Sequence, residues 1–171
     1  MAVWTVTFDA GLSGTCTVRD EHGQGIGSLR PPMKQRPGSV VAGGVEYEVS
    51  RGTALCGTLY VLGQPGSVMA NAVLPRDGSE ERLSIAWSGR EWTLQPRFGW
   101  RRQLALYESY RAIGGIAASR LLTRPVEADL PEEIAPCVRL FIVALAFSYW
   151  GEWTPGASAV LGGRSGAGPS A

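Results

Sequence analysis

One histidine, one lysine and three widely separated cysteines are all that this 171-residue chain offers to the commonest catalytic and metal-binding chemistries. A Ser-His-Asp or Cys-His arrangement would have to be built on His22, and no nucleophile motif accompanies it. Asp20 and Glu21 adjoin His22, but adjacent residues in a turn do not converge on one ion, so a solvated turn is expected over Asp20–Gly27. Cys16, Cys56 and Cys137 form no CxxC or Cys/His pair, which removes the pattern of zinc and thioredoxin-like sites. They are expected to be buried free thiols in a reducing compartment. Gly23, Gly25 and Gly27 spell G-x-G-x-G, without the spacing or the strand-to-helix setting of a dinucleotide site. The expectation is a protein that is not an enzyme and has no cofactor and no metal.

An excess of one charge is missing too. Sixteen basic residues face 15 acidic ones, for a net charge of +1, which argues against non-specific binding to nucleic acid. Nearly all the basic residues are arginine, which reads as coding bias before function. The opening MAVWTVTFDA has no basic stretch followed by an apolar core, so it is not a secretory signal and a cytoplasmic location is expected. Nor is any apolar run long enough to cross a bilayer. The longest uncharged stretch, Leu140–Gly151, has 12 residues, about 18 Å of helix against a hydrocarbon core of about 30 Å.

What is present is alternation. Trp4, Val6 and Phe8 are separated by Thr5 and Thr7, the period of a half-buried strand. Similar runs follow at Thr15–Arg19, Gly25–Leu29, Ser39–Ala42, Val45–Arg51, Leu55–Leu62, Val68–Leu74, Arg82–Trp87, Glu91–Gln95, Arg101–Glu108 and Arg111–Ala118, with a further one at Arg120–Arg124. Turn signals such as VAGGV, LGQPGS and PRDGSE divide them. Ser88-Gly89 marks a tight hairpin with Trp87 and Trp92 near its ends. About a dozen strands with short connections predict an antiparallel sandwich or barrel. Arg30–Gly38 holds three prolines and is expected to be an extended loop. Residues 154–171, rich in Gly, Ala and Ser, are expected to be a disordered tail behind a domain spanning 1–153.

The stretch LPEEIAPCVRLFIVALAFSYW is the exception to the alternation. Glu127, Asp129, Glu132 and Glu133 cluster where negative charge favours a helix start, and a helix is expected over Pro136–Trp150, stopped by Gly151 and Pro155. Between Cys137 and Trp150 only Arg139 and Ser148 are clearly polar, and nine positions apart they fall on opposite sides. A helix apolar all round is buried all round. In a protein of strands, that place is the inside of a closed barrel, with Arg139 near one mouth and its head in water.

Three segments carry a family likeness. CTVRDEHGQGIGSL (Cys16–Leu29), YRAIGGIAASRLL (Tyr110–Leu122) and LPEEIAPCVRLFIVALAFSYW (Leu130–Trp150) resemble the early strand–turn–strand, the late hairpin and the threaded helix of LURP-one-related proteins, in the tubby C-terminal-like superfamily. The resemblance implies a mainly β fold, a closed antiparallel barrel of about 12 strands around a buried hydrophobic C-terminal helix. It also implies a surface for a lipid or protein partner. The Pro-rich N-terminal region, cysteine-rich palmitoylation site and membrane-associated segment of phospholipid scramblases have no counterpart here, so scrambling is not implied.

Two basic stretches are the candidate contacts. PRFGWRR sets Arg97, Arg101 and Arg102 around Phe98 and Trp100, and the Pro-rich loop holds Arg30, Lys34 and Arg36. Arginines can meet phosphates while a Trp enters a headgroup layer. The function expected is a binding module for anionic phospholipid or a protein partner, cytoplasmic and peripheral at a membrane. The alternative is a lipocalin-like carrier or enzyme with a small apolar ligand in an open barrel.

Overall fold

The computed structural model describes residues 2–8, 14–33, 36–76, 82–97, 100–118 and 125–153. The expected strand at Arg120–Arg124 and the expected disordered tail, 154–171, lie outside them, as does Lys34. Twelve strands follow one another: β1 (Ala2–Phe8), β2 (Cys16–Arg19), β3 (Gly25–Arg30), β4 (Gly38–Ala42), β5 (Val45–Ala54) and β6 (Gly57–Gln64). They continue with β7 (Ser67–Pro75), β8 (Leu83–Trp87), β9 (Arg90–Arg97), β10 (Trp100–Glu108), β11 (Arg111–Ala117) and β12 (Val126–Leu130). One helix, α1 (Pro136–Trp153), comes last.

Every strand pairs antiparallel with its neighbour in sequence, and β1 closes the ring by pairing with both β2 and β12. The barrel is therefore a plain meander with no crossover. Primed turns make its tightest corners, because their twist matches that of the strands. Ser88 and Gly89 have φ of 49° and 76° in the β8–β9 hairpin, and Gly43 and Gly44 have 57° and 79° between β4 and β5.

Inside lies α1. From Cys137 to Trp150 every residue is buried, and the helix fills the lumen. The number of strands makes this possible. Eight strands close on side chains alone, whereas 16 to 18 leave a channel. Twelve leave room for one helix about 10–12 Å across. The helix sits nearest β3 and β4, on the side where Val40, Ala42 and Gly27 keep the wall low. A Cβ on Gly27 would collide with the Val41 carbonyl and reach 2.9 Å from Leu140 Cδ1, so glycine makes that approach possible. Larger side chains, among them Trp92, Leu94, Tyr60 and Leu62, fill the rest of the lumen.

Because the strands alternate in direction, all odd-numbered strands end at the same mouth. β12 runs the other way, so α1 enters the barrel at the opposite mouth and returns through it. Ser148, near its end, donates to the Pro32 carbonyl just after β3, at 3.3 Å. The two ends are called here the entry and exit mouths, after the path of α1.

Four expectations need correction. Where a helix start is expected around Glu127 and Asp129 there is a strand, β12, with Val126, Ala128 and Leu130 pointing inward and the two carboxylates out. α1 does not stop at Gly151 but runs to Trp153, since an interior glycine costs only about 1 kcal/mol and the barrel supports the helix on all sides. Cys56 is exposed in the β5–β6 turn, whereas Cys16 and Cys137 are buried. The Pro-rich segment is not extended throughout: Met33 and Arg36 exchange backbone hydrogen bonds across a tight turn, and Pro31 and Pro32 are buried.

Candidate functional site

Where the lumen is full, chemistry has to be sought at the mouths and on the outer wall. The entry mouth collects the turns that follow even-numbered strands. Among the described residues it carries the carboxylates of Asp20, Glu21, Glu46, Glu91, Glu108, Glu132 and Glu133, against Arg19, Arg90, Arg111 and the buried Arg139.

Several of these groups are tied up locally. The Asp20 carboxylate accepts from the backbone N–H groups of His22 and Gln24, at 2.9 and 2.8 Å, and so shapes its own turn. His22 is exposed beside Glu21, with 3.5 Å between Nε2 and Oε1. Glu108 accepts from Arg90 Nε at 2.8 Å and from Trp92 Nε1 at 3.2 Å. The Arg90 hydrogen bond holds the Glu108 carboxyl below its usual pKa, and Trp92 adds to the effect. Trp92 in turn packs against Trp87 across the hairpin, ring centroids 5.6 Å apart.

Arg139 breaks the expectation that its head would reach water. It is 8% exposed, and its guanidinium lies over the Trp4 ring, 4.2 Å from the centroid. Nε and Nη1 are shut off from solvent without a hydrogen-bond acceptor. Burial lowers its pKa from the ordinary arginine value, and the nearby Glu132 charge partly opposes this. Position explains the geometry. Helical side chains lean toward the N-terminus, so Arg139, one turn into α1, leans back onto β1 beneath the mouth.

The exit mouth collects the segments after odd-numbered strands. Arg30 ends β3, Arg36 closes the turn after it, Arg76 follows β7, Arg82 precedes β8, Arg97 ends β9 and Arg102 lies near the start of β10. The two basic stretches, about 70 positions apart in sequence, are thus brought to one end. Arg36, Arg76, Arg82 and Arg97 are exposed, while Arg30 and Arg102 are half-buried. Trp100 and Arg101 are in β10, Trp100 pairing with Arg97, but their side chains lie outside the description, as does Phe98. Against these six arginines the described residues set one carboxylate at this end, Glu127 at the start of β12.

Neither mouth brings together three His, Cys, Asp or Glu side chains able to hold a metal ion, among the described residues. No helix of the described residues is long and apolar enough to cross a membrane. The segregation of charge went unread in the sequence, although a signal for it existed: once a meander is expected, loops after the third and ninth strands must share an end.

Comparison with known proteins adds to the fold alone. No family model matches the chain, and no curated protein does. Among solved structures it is similar to the Arabidopsis thaliana protein AT5G01750, with a TM-score of 0.56 at 8% identity, over 86% of this chain and 90% of the other.

Proposed function

We propose that this protein is a non-catalytic binding module of the LURP-one-related, tubby-like type, which docks by its exit mouth on an anionic phospholipid surface. The reading makes it a peripheral protein of the cytoplasmic face. One observation carries it: six described arginines from β3, the β3–β4 and β7–β8 connections, β9 and β10 crowd one end of a barrel whose net charge is only +1. A basic cluster near a bilayer gains about 1 kcal/mol per arginine, and the acidic entry mouth would face away. The filled lumen works against the lipocalin-like alternative, because a carrier needs the space that α1 occupies.

Co-sedimentation with phosphatidylcholine vesicles, with and without phosphatidylserine, tests the reading. Arg97→Glu with Arg102→Glu should weaken binding to the anionic vesicles roughly 30-fold, from about 2 kcal/mol lost. Arg19→Glu with Arg111→Glu, at the other mouth, should leave it unchanged. Equal binding by both double variants, or binding to neutral vesicles alone, would sink the lipid reading. Capture of an acidic protein by wild type but not by Arg97→Glu/Arg102→Glu, without vesicle binding, would move the function to a protein partner.

A further inference from the structure

On the outer wall, running the length of β11 from the entry mouth to the rim of the exit mouth, β10, β11, β12 and β1 line a groove of about 1130 Å³. Register gives its floor as two rows across the strands, Ala105–Gly115–Asp129–Val3 and Gln103–Ala117–Glu127–Thr5. Small residues keep the centre low. Ala105 points outward and is still only 7% exposed. Gly114 has to be glycine, because a Cβ there would stand 2.5 Å from the Asp129 carbonyl oxygen. The groove follows the length of β11, seven residues or about 23 Å, so it fits a chain better than a compact ligand.

The sign of its charge is set by β12. Arg90 and Glu108 in the lining neutralise each other at 2.7 Å. Arg97 and Arg111 then face Glu127, Asp129, Glu132 and Glu133. Within this set Asp129 is singular: its Oδ1 is shut off from water and has no hydrogen-bond donor. A carboxylate oxygen without a donor is costly, and because Asp129 as a whole is only half-buried, a small rotation of its carboxylate brings that oxygen to the groove, where a partner's cation would satisfy it. The barrel is closed, so β10, β11, β12 and β1 have strand partners on both sides and no open edge to which a visiting strand could add. Recognition must therefore run through side chains.

We infer that this groove binds an extended, Lys- or Arg-bearing segment of a partner protein, with one cationic head on Asp129 and its aliphatic stem laid over Gly115 and Ala105. Glu127, two residues along the same strand and on the same face, receives a basic side chain two residues further along the partner. Arg97 stands at the rim that the groove shares with the exit mouth, but carboxylates outnumber arginines along the groove, so the two surfaces favour partners of opposite charge.

Fluorescence anisotropy of a labelled seven-residue peptide alternating Lys and Ala, with a Glu–Ala peptide as control, tests the assignment on the full chain. Wild type should bind the Lys peptide saturably. Asp129→Asn, which keeps the shape, should weaken binding about tenfold, and Ala117→Leu, which fills the groove without touching charge, should weaken it as much. Glu21→Gln, at the entry mouth outside the groove, should change nothing. Binding that survives Ala117→Leu, binding weakened equally by Glu21→Gln, preference for the Glu peptide, or no saturable binding would each overturn it. Displacement of the peptide by spermine at far lower concentration would also overturn it, in favour of a small polyamine. Should Ala117→Leu fail to fold, the isosteric Asp129→Asn still decides.

Discussion

The entry mouth ties several of its charges into its own structure, whereas the exit mouth displays its arginines. At the entry, Glu108 collects Arg90 and Trp92, Asp20 shapes a turn, and Arg139 lies on Trp4 beneath the surface. At the exit, Arg36, Arg76, Arg82 and Arg97 stand exposed. One end therefore reads as construction and the other as contact. The lesson is that a near-zero net charge can conceal a strongly polarised molecule, since a meander sorts its loops by the parity of the strands before them.

If the contrast is right, substitutions at the entry should move stability and those at the exit should move only binding. The largest effect is expected from Trp4→Ala. It removes a ring 3% exposed and uncovers the guanidinium stacked on it, and should cost about 3–5 kcal/mol in a denaturant melt. Arg139→Met should act in the opposite direction. The two nitrogens without acceptors are removed while the stem volume is kept, and the loss of stacking on Trp4 is smaller, leaving a gain of about 1 kcal/mol. A loss instead would mean that Arg139 holds the mouth together.

Glu108→Gln is the third test, read as pH dependence. The folded pKa of Glu108 lies below its ordinary value of 4.5. The unfolded chain therefore binds the extra proton first, so the contribution of Glu108 is full above about that pH and drains as pH falls through the folded value. Wild type should lose melting temperature more steeply than Glu108→Gln in that acid window and nowhere else. The smallest effect on stability is expected from Arg97→Glu, within about 0.5 kcal/mol of wild type, because it is an exposed site at a strand end. A larger loss would show that the exit arginines are part of the construction after all.

How much of this could be read beforehand varied by region. The first eleven strands follow from alternation and turn residues, and the Ser88-Gly89 hairpin closes with its two tryptophans in contact as its sequence predicts. α1 was legible because so few polar side chains interrupt it. β12 was not, although VEADL alternates perfectly, because its two carboxylates stand just ahead of Pro131 and satisfy the rule for a helix start equally well. Arg139 was placed in water because a lone arginine at a barrel end ordinarily extends outward, and nothing in the sequence places Trp4 beneath it. The groove depended on β12 and so was invisible with it. Asp129 gains its meaning only from its cross-strand neighbours Gly115 and Val3.

The closing of the ring has a consequence for how the molecule comes into being. β1 is made first, yet one of its two partners, β12, is made after ten other strands, and the filling of the lumen is made after that. During synthesis the growing sheet has an open edge at each end and a greasy concave face with nothing against it. Such a sheet is prone to stick to its neighbours until the last segment is out. Assembly is thus timed by the ribosome: the strands wait for the helix, and the first strand waits longest.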